Sequence, residues 1–268
     1  MHFRGARRAS RRHPYSPLAL ALSLLVGVAL GLLGGGGSIL TLPILVYVLK
    51  MDEKAAIAMS LIIVGVTGAT ALISHARNKN VDWRIGLIFA AAGSVGAFAG
   101  GYAAGWIPGA WLVRAFLVMM VATGIAMIRS RKTVDETTEV KKLPAAKIAS
   151  EGLIVGIVTG LVGAGGGFLV VPALALLGGL PMPTAVGTSL LVIAIKSVFG
   201  YVGHATHVEV DPLTAASLSA TAIIGSFAGG MVAPKVPASS LRQAFGIFVL
   251  VMAAYMGWKQ LWWLAPSR

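Results

Sequence analysis

Eight apolar stretches occupy most of this 268-residue chain, and they constrain its fold more than any other feature. A transmembrane helix needs about 20 mostly apolar residues, and every stretch reaches that length. Only 12% of the residues are charged, about half of the roughly 25% typical of soluble domains. We therefore expect an all-α polytopic membrane protein. The stretches are 17–49, 55–76, 83–105, 110–129, 150–178, 184–204, 212–233 and 241–264.

Two of these stretches, 17–49 and 150–178, are too long for one simple span, and each contains a glycine cluster. Glycine weakens a helix and permits positive φ, so each long stretch is expected to form two half-helices joined at a glycine elbow. Such irregular backbone is tolerated at membrane depth where protein or a watery cavity surrounds it. The basic N-terminus with Leu18–Leu33 resembles a signal peptide, but the same pattern recurs mid-chain, where no signal peptide can be.

The two halves of the chain align at an offset of 129 residues without a gap. Glycines, prolines, histidines and aspartates coincide; for example, Pro43 falls on Pro172 and His75 on His204. Apolar composition alone would not produce this coincidence, so the chain contains two copies of one unit. The expected parts are a basic cytoplasmic segment 1–16, a first four-span repeat 17–129, a cytoplasmic linker 130–149, a second four-span repeat 150–264 and a tail 265–268.

Lys and Arg are enriched on the cytoplasmic side of membrane proteins, so their distribution distinguishes two arrangements of the halves. If each long stretch crosses once, the halves run parallel and the basic residues divide sixteen to five. If each long stretch re-enters its own side, the halves are inverted and the division is ten to eleven. We therefore predict eight spans as two parallel four-span repeats, with both termini on the cytoplasmic side of a plasma or inner membrane.

The net charge of +13 is then explained by membrane orientation and by anionic lipid, without nucleic acid. With no cysteine in the chain, disulfides, thiolate metal sites and redox dithiols are excluded. We predict no cofactor and no metal. The expected partners are a small anion and the lipid bilayer, and self-association stays open.

Lys196 lies near the middle of the stretch 184–204, and its equivalent in the first half is Thr67. An ionisable residue at membrane depth is costly and is a functional candidate by default. All nine Asp and Glu residues lie in loops or at span ends, so a bound anion could be the counter-charge of Lys196. The alternative is a structural lysine that burial keeps neutral.

The elbows are the other candidate anion site. A half-helix starting after an elbow presents free N–H groups and the positive end of its dipole, although close packing through small residues is an alternative. Hydroxyl groups early in two spans are suited to oxyanion oxygens or to bonds between helices. For His75 and His204, gating or proton handling competes with a structural role at a helix end. The predicted substrate-binding residues are Gly36, Gly37, Ser38, Ser60, Gly165, Gly166, Gly167, Thr188, Ser189 and Lys196.

The glycine-to-proline segments resemble the sulfite exporter TauE/SafE family, also called the toluene-sulfonate uptake permease family. The resemblance rests on GLLGGGGSILTLPIL at Gly31–Leu45, GLVGAGGGFLVVPAL at Gly160–Leu174 and AVGTSL at Ala185–Leu190. It implies an eight-span permease with a duplicated unit, whose substrates are small sulfur-containing anions such as sulfite, sulfonates or sulfoacetate. The first half departs from the pattern, because Ala58-Met59 stands where the second half has Gly187-Thr188.

We therefore predict a permease, and not an enzyme, that exports such an anion through a cavity between the halves. With the cell interior negative, each exported negative charge gains about 2.3 kcal/mol per 100 mV, so a divalent anion could leave without a coupled ion. Coupled uptake and a passive anion channel stay open. An intramembrane Ser189–His204 protease is disfavoured, since 15 residues span about 22 Å of helix.

Overall fold

The computed structural model describes residues 17–129, 144–162 and 167–264, and the regular elements in these ranges are all helices. The predicted segment 1–16, most of the predicted linker, the elbow glycines Gly165 and Gly166 and the tail 265–268 lie outside the described residues. The helices are α1 (Pro17–Leu33), α2 (Gly36–Pro43), α3 (Glu53–Arg77), α4 (Trp83–Ala104), α5 (Gly109–Arg129), α6 (Ala145–Val162), α7 (Gly167–Pro172), α8 (Met182–Ala205), α9 (Pro212–Val232) and α10 (Ala238–Leu264).

Seven helices are long and apolar enough to cross a membrane, namely α3, α4, α5, α6, α8, α9 and α10. Helix α1 and the segments Ser38–Val48 and Gly167–Leu177 are apolar but shorter. The predicted all-helical membrane class is thus confirmed for the described residues. The six stretches predicted as single helices end within three residues of the observed bounds, whereas α6 begins at Ala145, five residues before the predicted start.

The first long stretch breaks at its glycines because one of them leaves the helical region of φ. Helix α1 ends at Leu33, Gly34 has a φ of +65° and α2 begins at Gly36. A side chain with a Cβ is disfavoured at such a φ, so glycine is suited to this position. Ser38 closes the first turn of α2 by donating its hydroxyl hydrogen to the Gly35 carbonyl at 2.6 Å.

Each short helix after a break widens into a π-helical turn directly after a proline. Pro43 is followed by a π-helical turn at Ile44–Val48, and Pro172 by one at Ala173–Leu177. Proline lacks an N–H group and its ring clashes with the carbonyl of the preceding turn, which favours the wider turn. The two long stretches therefore share an unusual local geometry at the same offset of 129 residues.

Three aspartates start long helices as N-caps. Asp52 accepts hydrogen bonds from the first turn of α3, Asp82 from Ile85 N at 2.8 Å and Asp211 from Thr214 N at 3.0 Å. A side-chain oxygen at this position satisfies backbone N–H groups that have no partner inside the helix. Asp82 and Asp211 are equivalent positions, so the cap is another local feature that the halves share.

Helices α3 and α8 cross in opposite directions. Gly65 lies against Ser197, where an added Cβ would come within 2.9 Å of the serine Cβ. Four residues earlier on α3, Leu61 lies against Gly200, three residues later on α8. Rising numbers on one helix therefore meet falling numbers on the other, so the pair is antiparallel.

Helix α1 runs in the same direction as α3. Both helices pack parallel to α9. On α1, Gly27 and Gly31 lie against Ala222 and Ser226 of α9. On α3, Thr70 and Ser74 contact Ser226 and Gly230 of α9, so residue numbers increase in the same direction along each pair of helices. The end of α1 lies beside the end of α3, since the Gly31 carbonyl contacts His75. The chain between α1 and α3 must therefore return from the end of α1 to the start of α3, and α2 runs antiparallel to α1.

The second half makes the same reversal. Helix α4 runs parallel to both α6 and α8, and the end of α6 lies beside the end of α8. The chain between α6 and α8 therefore also turns back. The contacts that fix these directions are Gly93 with Gly152, Gly100 with Ile157, Gly86 with Leu191, Gly101 with Gly200, and Gly160 with His204.

These directions correct the predicted relation between the halves. Parallel repeats would require the equivalent helices α3 and α8 to run the same way, but they are antiparallel. The prediction that each long stretch crosses once is therefore wrong, because the chain turns back between α1 and α3 and again between α6 and α8. The basic residues then divide ten to eleven, so charge no longer selects a cytoplasmic side.

Candidate functional site

Lys196 is buried in the middle of the molecule and has a neutral partner. Its side chain is 2% exposed, and Nζ donates a hydrogen bond of 2.7 Å to the Thr159 Oγ1 of α6. Thr159 in turn donates to the Gly156 carbonyl at 3.2 Å. Among the described residues, no carboxylate lies within ion-pair distance of Lys196. The ion pair that these residues do form joins Lys147 and Glu151. The lysine that the sequence singled out is therefore hydrogen-bonded to a hydroxyl group.

Lys196 also lies one helical turn from the start of α7. Ile193 precedes it by three residues, which places both on one face of α8. Gly167 packs against Ile193, and an added Cβ there would come within 2.5 Å of the isoleucine Cδ1. The structure thus brings Lys196 and the predicted site residue Gly167 to the same region, between α6, α7 and α8.

The first break lies against the second half. Gly34 contacts Ser189, where an added Cβ would be 2.9 Å from the serine Oγ. Gly35 packs on the carbonyl of Gly167, at a separation that leaves no room for a side chain. The predicted residues Gly36 and Gly37 form the first turn of α2. The two glycine segments therefore meet, and their close approach depends on the lack of side chains.

The four predicted hydroxyl ligands all have partners within the protein. Ser38, Ser60 and Ser189 donate to carbonyl groups of their own chain segment, at 2.6, 2.8 and 2.7 Å. Thr188 accepts a hydrogen bond of 2.9 Å from the backbone N–H of Asp82. All four side chains are buried. Thr188 thus holds the segment between α3 and α4 on the start of α8.

The two predicted gating histidines make equivalent contacts. His75 Nε2 lies 3.0 Å from the Gly31 carbonyl, and His204 Nε2 lies 2.8 Å from the Gly160 carbonyl. Since a carbonyl oxygen accepts, each ring nitrogen is the donor. The Nδ1 atom of His75 is buried without a hydrogen-bond partner among the described residues. Each histidine joins the ends of two helices, and its role in gating stays a prediction.

Two apolar grooves open between helices away from Lys196. One, of about 580 Å³, lies between α4 and α8 and includes Ser94. The other, of about 450 Å³, lies between α3 and α9 and includes Ser219. Lys196 lines neither groove. No group of three or more His, Cys, Asp or Glu residues with metal-binding geometry occurs in the described part of the chain.

Thr159 is the site residue that the sequence reasoning missed. Its signal was present, because the equivalent residue in the first half is Leu30. Lys196 and Thr159 are both polar where the first half has a less polar or apolar residue. A comparison of the halves for such differences would have selected this pair, although only the packing of α6 on α8 shows that the two side chains meet.

A family model described as sulfite exporter TauE/SafE matches residues 19–256. The chain belongs to the TauE/SafE family. The match covers every described helix except the ends of α1 and α10, and therefore includes Lys196, Thr159 and both breaks. The resemblance expected from the glycine-to-proline segments is confirmed.

Relatives with curated names agree with this TauE/SafE assignment. A probable membrane transporter protein of Xylella fastidiosa is 36% identical over 240 residues, covering 88% of this chain and 92% of the relative. A probable membrane transporter protein of Bacillus subtilis is 26% identical, covering 89% and 96%. One of Methanocaldococcus jannaschii is 28% identical, covering 71% and 72%. No solved structure matches the chain. The protein is a multi-pass membrane transporter.

Proposed function

We propose that this TauE/SafE-family protein exports a small sulfur-containing oxyanion, of the sulfite or sulfonate class, and that Lys196 supplies the charge that binds it. The observation that carries the proposal is the burial of Lys196 beside a neutral hydroxyl. A charge at membrane depth is costly unless it is paired, and an anion would supply the missing counter-charge. The family description names sulfite, which supports this class of substrate.

The two halves form inverted repeats around the bound anion in this proposal. The antiparallel pair α3 and α8 supports it, because inverted repeats place equivalent helices in opposite directions. Inverted transporter repeats typically hold the substrate where broken helices of the two halves meet. Gly35 and Gly167 bring the broken segments together one turn from Lys196. Export follows the membrane potential, at about 2.3 kcal/mol per negative charge per 100 mV.

Flux of radiolabelled sulfite into proteoliposomes tests the proposal. Lys196→Met should lower this flux at least about tenfold, because loss of 1.4 kcal/mol of anion binding already gives that factor. Lys235→Met is the matched control, since it makes the same change at an exposed lysine and should leave the flux unchanged. Both variants are first checked for folding by their melting temperature in detergent.

Unchanged flux in Lys196→Met would overturn the role of the lysine. Measurement of the same flux against sulfite concentration separates a carrier from a channel of the same architecture. A carrier saturates, and unlabelled sulfite on the far side accelerates uptake of the label. A flux that rises linearly without this stimulation would favour the channel.

A further inference from the structure

The two halves differ in polarity at two positions that are hydrogen-bonded to each other in the second half. Lys196 corresponds to Thr67, and Thr159 corresponds to Leu30. Across α6 and α8, Lys196 donates to Thr159 at 2.7 Å. In the first half, Thr67 instead donates to Ile63 of its own helix at 2.6 Å, and Leu30 is buried at 0% exposure in an apolar cluster. The hydrogen-bonded pair of Lys196 and Thr159 thus corresponds to Thr67 and Leu30, which cannot form the same side-chain hydrogen bond because leucine has no polar group.

The geometry of Thr159 suits it to hold an ammonium group in one place. Its hydroxyl hydrogen points to the Gly156 carbonyl, so its lone pairs face Lys196. A lysine ammonium has three hydrogens on a flexible four-carbon stem. One hydrogen is taken by Thr159, and no second acceptor for the ammonium is found among the described residues. The hydroxyl therefore fixes the direction of the charge without neutralising it, as a carboxylate would.

Lys196 and Thr159 both lie on helices of the second half. Thr159 lies on the last turns of α6, and Ile193, one turn from Lys196, contacts the start of α7. At the first break, Gly34 and Gly35 are packed against Ser189 and Gly167 of the second half. Residues of the second half thus pack against the first break, and Lys196 bonds to Thr159 within the second half.

We infer that the anion is held asymmetrically, by α6 and α8 of the second half, and that Thr159 is the positioning residue of Lys196. This inference rests on the proposed function, since it assigns a residue and a side to the same site. Thr159 does not carry charge itself. Its contribution is to aim the ammonium, so its loss should weaken anion binding and leave the movement of the bound anion nearly unchanged.

Sulfite flux into proteoliposomes, measured against sulfite concentration, tests the inference. Thr159→Val keeps the size of the side chain but removes the acceptor. Hydrogen bonds to charged groups contribute about 1.5–3 kcal/mol, so KM should rise at least about tenfold, with the maximal flux within about twofold. Thr159→Ser restores an acceptor and should return KM to within about threefold of the unmodified protein.

Thr67→Val is the control, because it makes the same substitution at a buried threonine of the first half, which stands where the second half has Lys196. It should leave KM unchanged; an equal rise in both variants would overturn the asymmetry. A double variant with Lys196→Met adds a readout that a purely structural role would not move. Once the lysine is absent, Thr159→Val should cause no further loss of flux, and an additive loss would overturn the positioning role.

The outcomes separate this inference from the proposed function. If Lys196→Met loses flux while Thr159→Val keeps its KM, the positioning role is wrong and the anion site stands. If Lys196→Met keeps its flux, the proposed function itself fails. Melting temperatures of all variants identify any that do not fold. If Thr159→Val is one of them, Thr159→Ala, which also removes the hydroxyl, should show the same rise in KM, and an unchanged KM there would overturn the positioning role.

Discussion

Single glycines set how closely the helices of this molecule approach each other. Gly156 on α6 faces Gly93 on α4, and an added Cβ would lie 2.2 Å from the Gly93 carbonyl oxygen. Equivalent contact occurs between α1 and α9, where a Cβ on Gly27 would lie 1.9 Å from the Ala222 oxygen. Small residues permit such approach between membrane helices, where packing rather than the hydrophobic effect drives association.

Gly156→Ala should therefore destabilise the protein. The methyl group has no space, and forcing extra volume into a packed interface costs about 1–3 kcal/mol. Gly257→Ala is the matched control, because Gly257 is also inside a helix but its Cβ would meet only Leu117, at an ordinary 3.7 Å. That variant should be neutral or slightly stabilised, since alanine favours helix over glycine. Melting temperatures in detergent measure both, and equal values would contradict the packing argument.

At the scale of single residues, Lys196 could be selected from the sequence alone, but Thr159 could not. An ionisable residue inside an apolar stretch is visible without any structure, because its place in the stretch is read directly from the sequence and makes it a functional candidate by default. Thr159 is an ordinary residue in an apolar helix, and its importance depends on the packing of α6 against α8. The predicted serine ligands show the same limit, since their bonds to nearby carbonyls could not be chosen from spacing alone.

The breaks are the elements that most affect the path of the chain. Glycine clusters and the prolines after them predict an interruption, and the structure has one between Leu33 and Gly36. Whether the chain bends or reverses there depends on which helices lie on either side. Contacts of α1 and α3 with α9 decide this, and they connect residues about 150 to 200 positions apart in sequence. Local pattern therefore predicted the position of the break but not its direction.

Gly34→Ala tests the break as an element. Its φ of +65° disfavours any L side chain, at about 1–2 kcal/mol for alanine, and its Cβ would also crowd Ser189. Gly179 has nearly the same φ, +63°, but nothing within 4 Å of an added Cβ. The melting temperature should thus fall in both alanine variants, and further in Gly34→Ala.

A second substitution separates the stability lost through the positive φ from the stability lost through crowding of Ser189. Gly179→Asn should recover part of the loss seen in Gly179→Ala, because asparagine tolerates this region of φ better than alanine. If Gly34→Ala and Gly179→Ala lose the same stability, the contact between the first break and α8 does not contribute to the fold.

At the scale of the whole molecule, the helices α3 and α8, which are equivalent in the sequence repeat, run in opposite directions. The 129-residue offset predicted the equivalence of the halves, and their shared contacts, such as those of His75 and His204, agree with it. The charge count led to the parallel arrangement because it assumed that each long stretch crosses once. With two reversals the count is ten to eleven. Counts this close to equal give no Lys and Arg bias from which a cytoplasmic side could be selected.

Labelling of single cysteines tests the arrangement of the halves in the membrane. The chain has no cysteine, so each introduced thiol is the sole target of a membrane-impermeant maleimide. Asn78 follows α3, His207 follows α8, the two are equivalent in the repeat, and both are exposed. Because α3 and α8 are antiparallel, Asn78→Cys and His207→Cys should be labelled from opposite sides of sealed vesicles. Permeabilised vesicles, in which both thiols should react, are the control, and labelling of both from one side would restore the parallel arrangement.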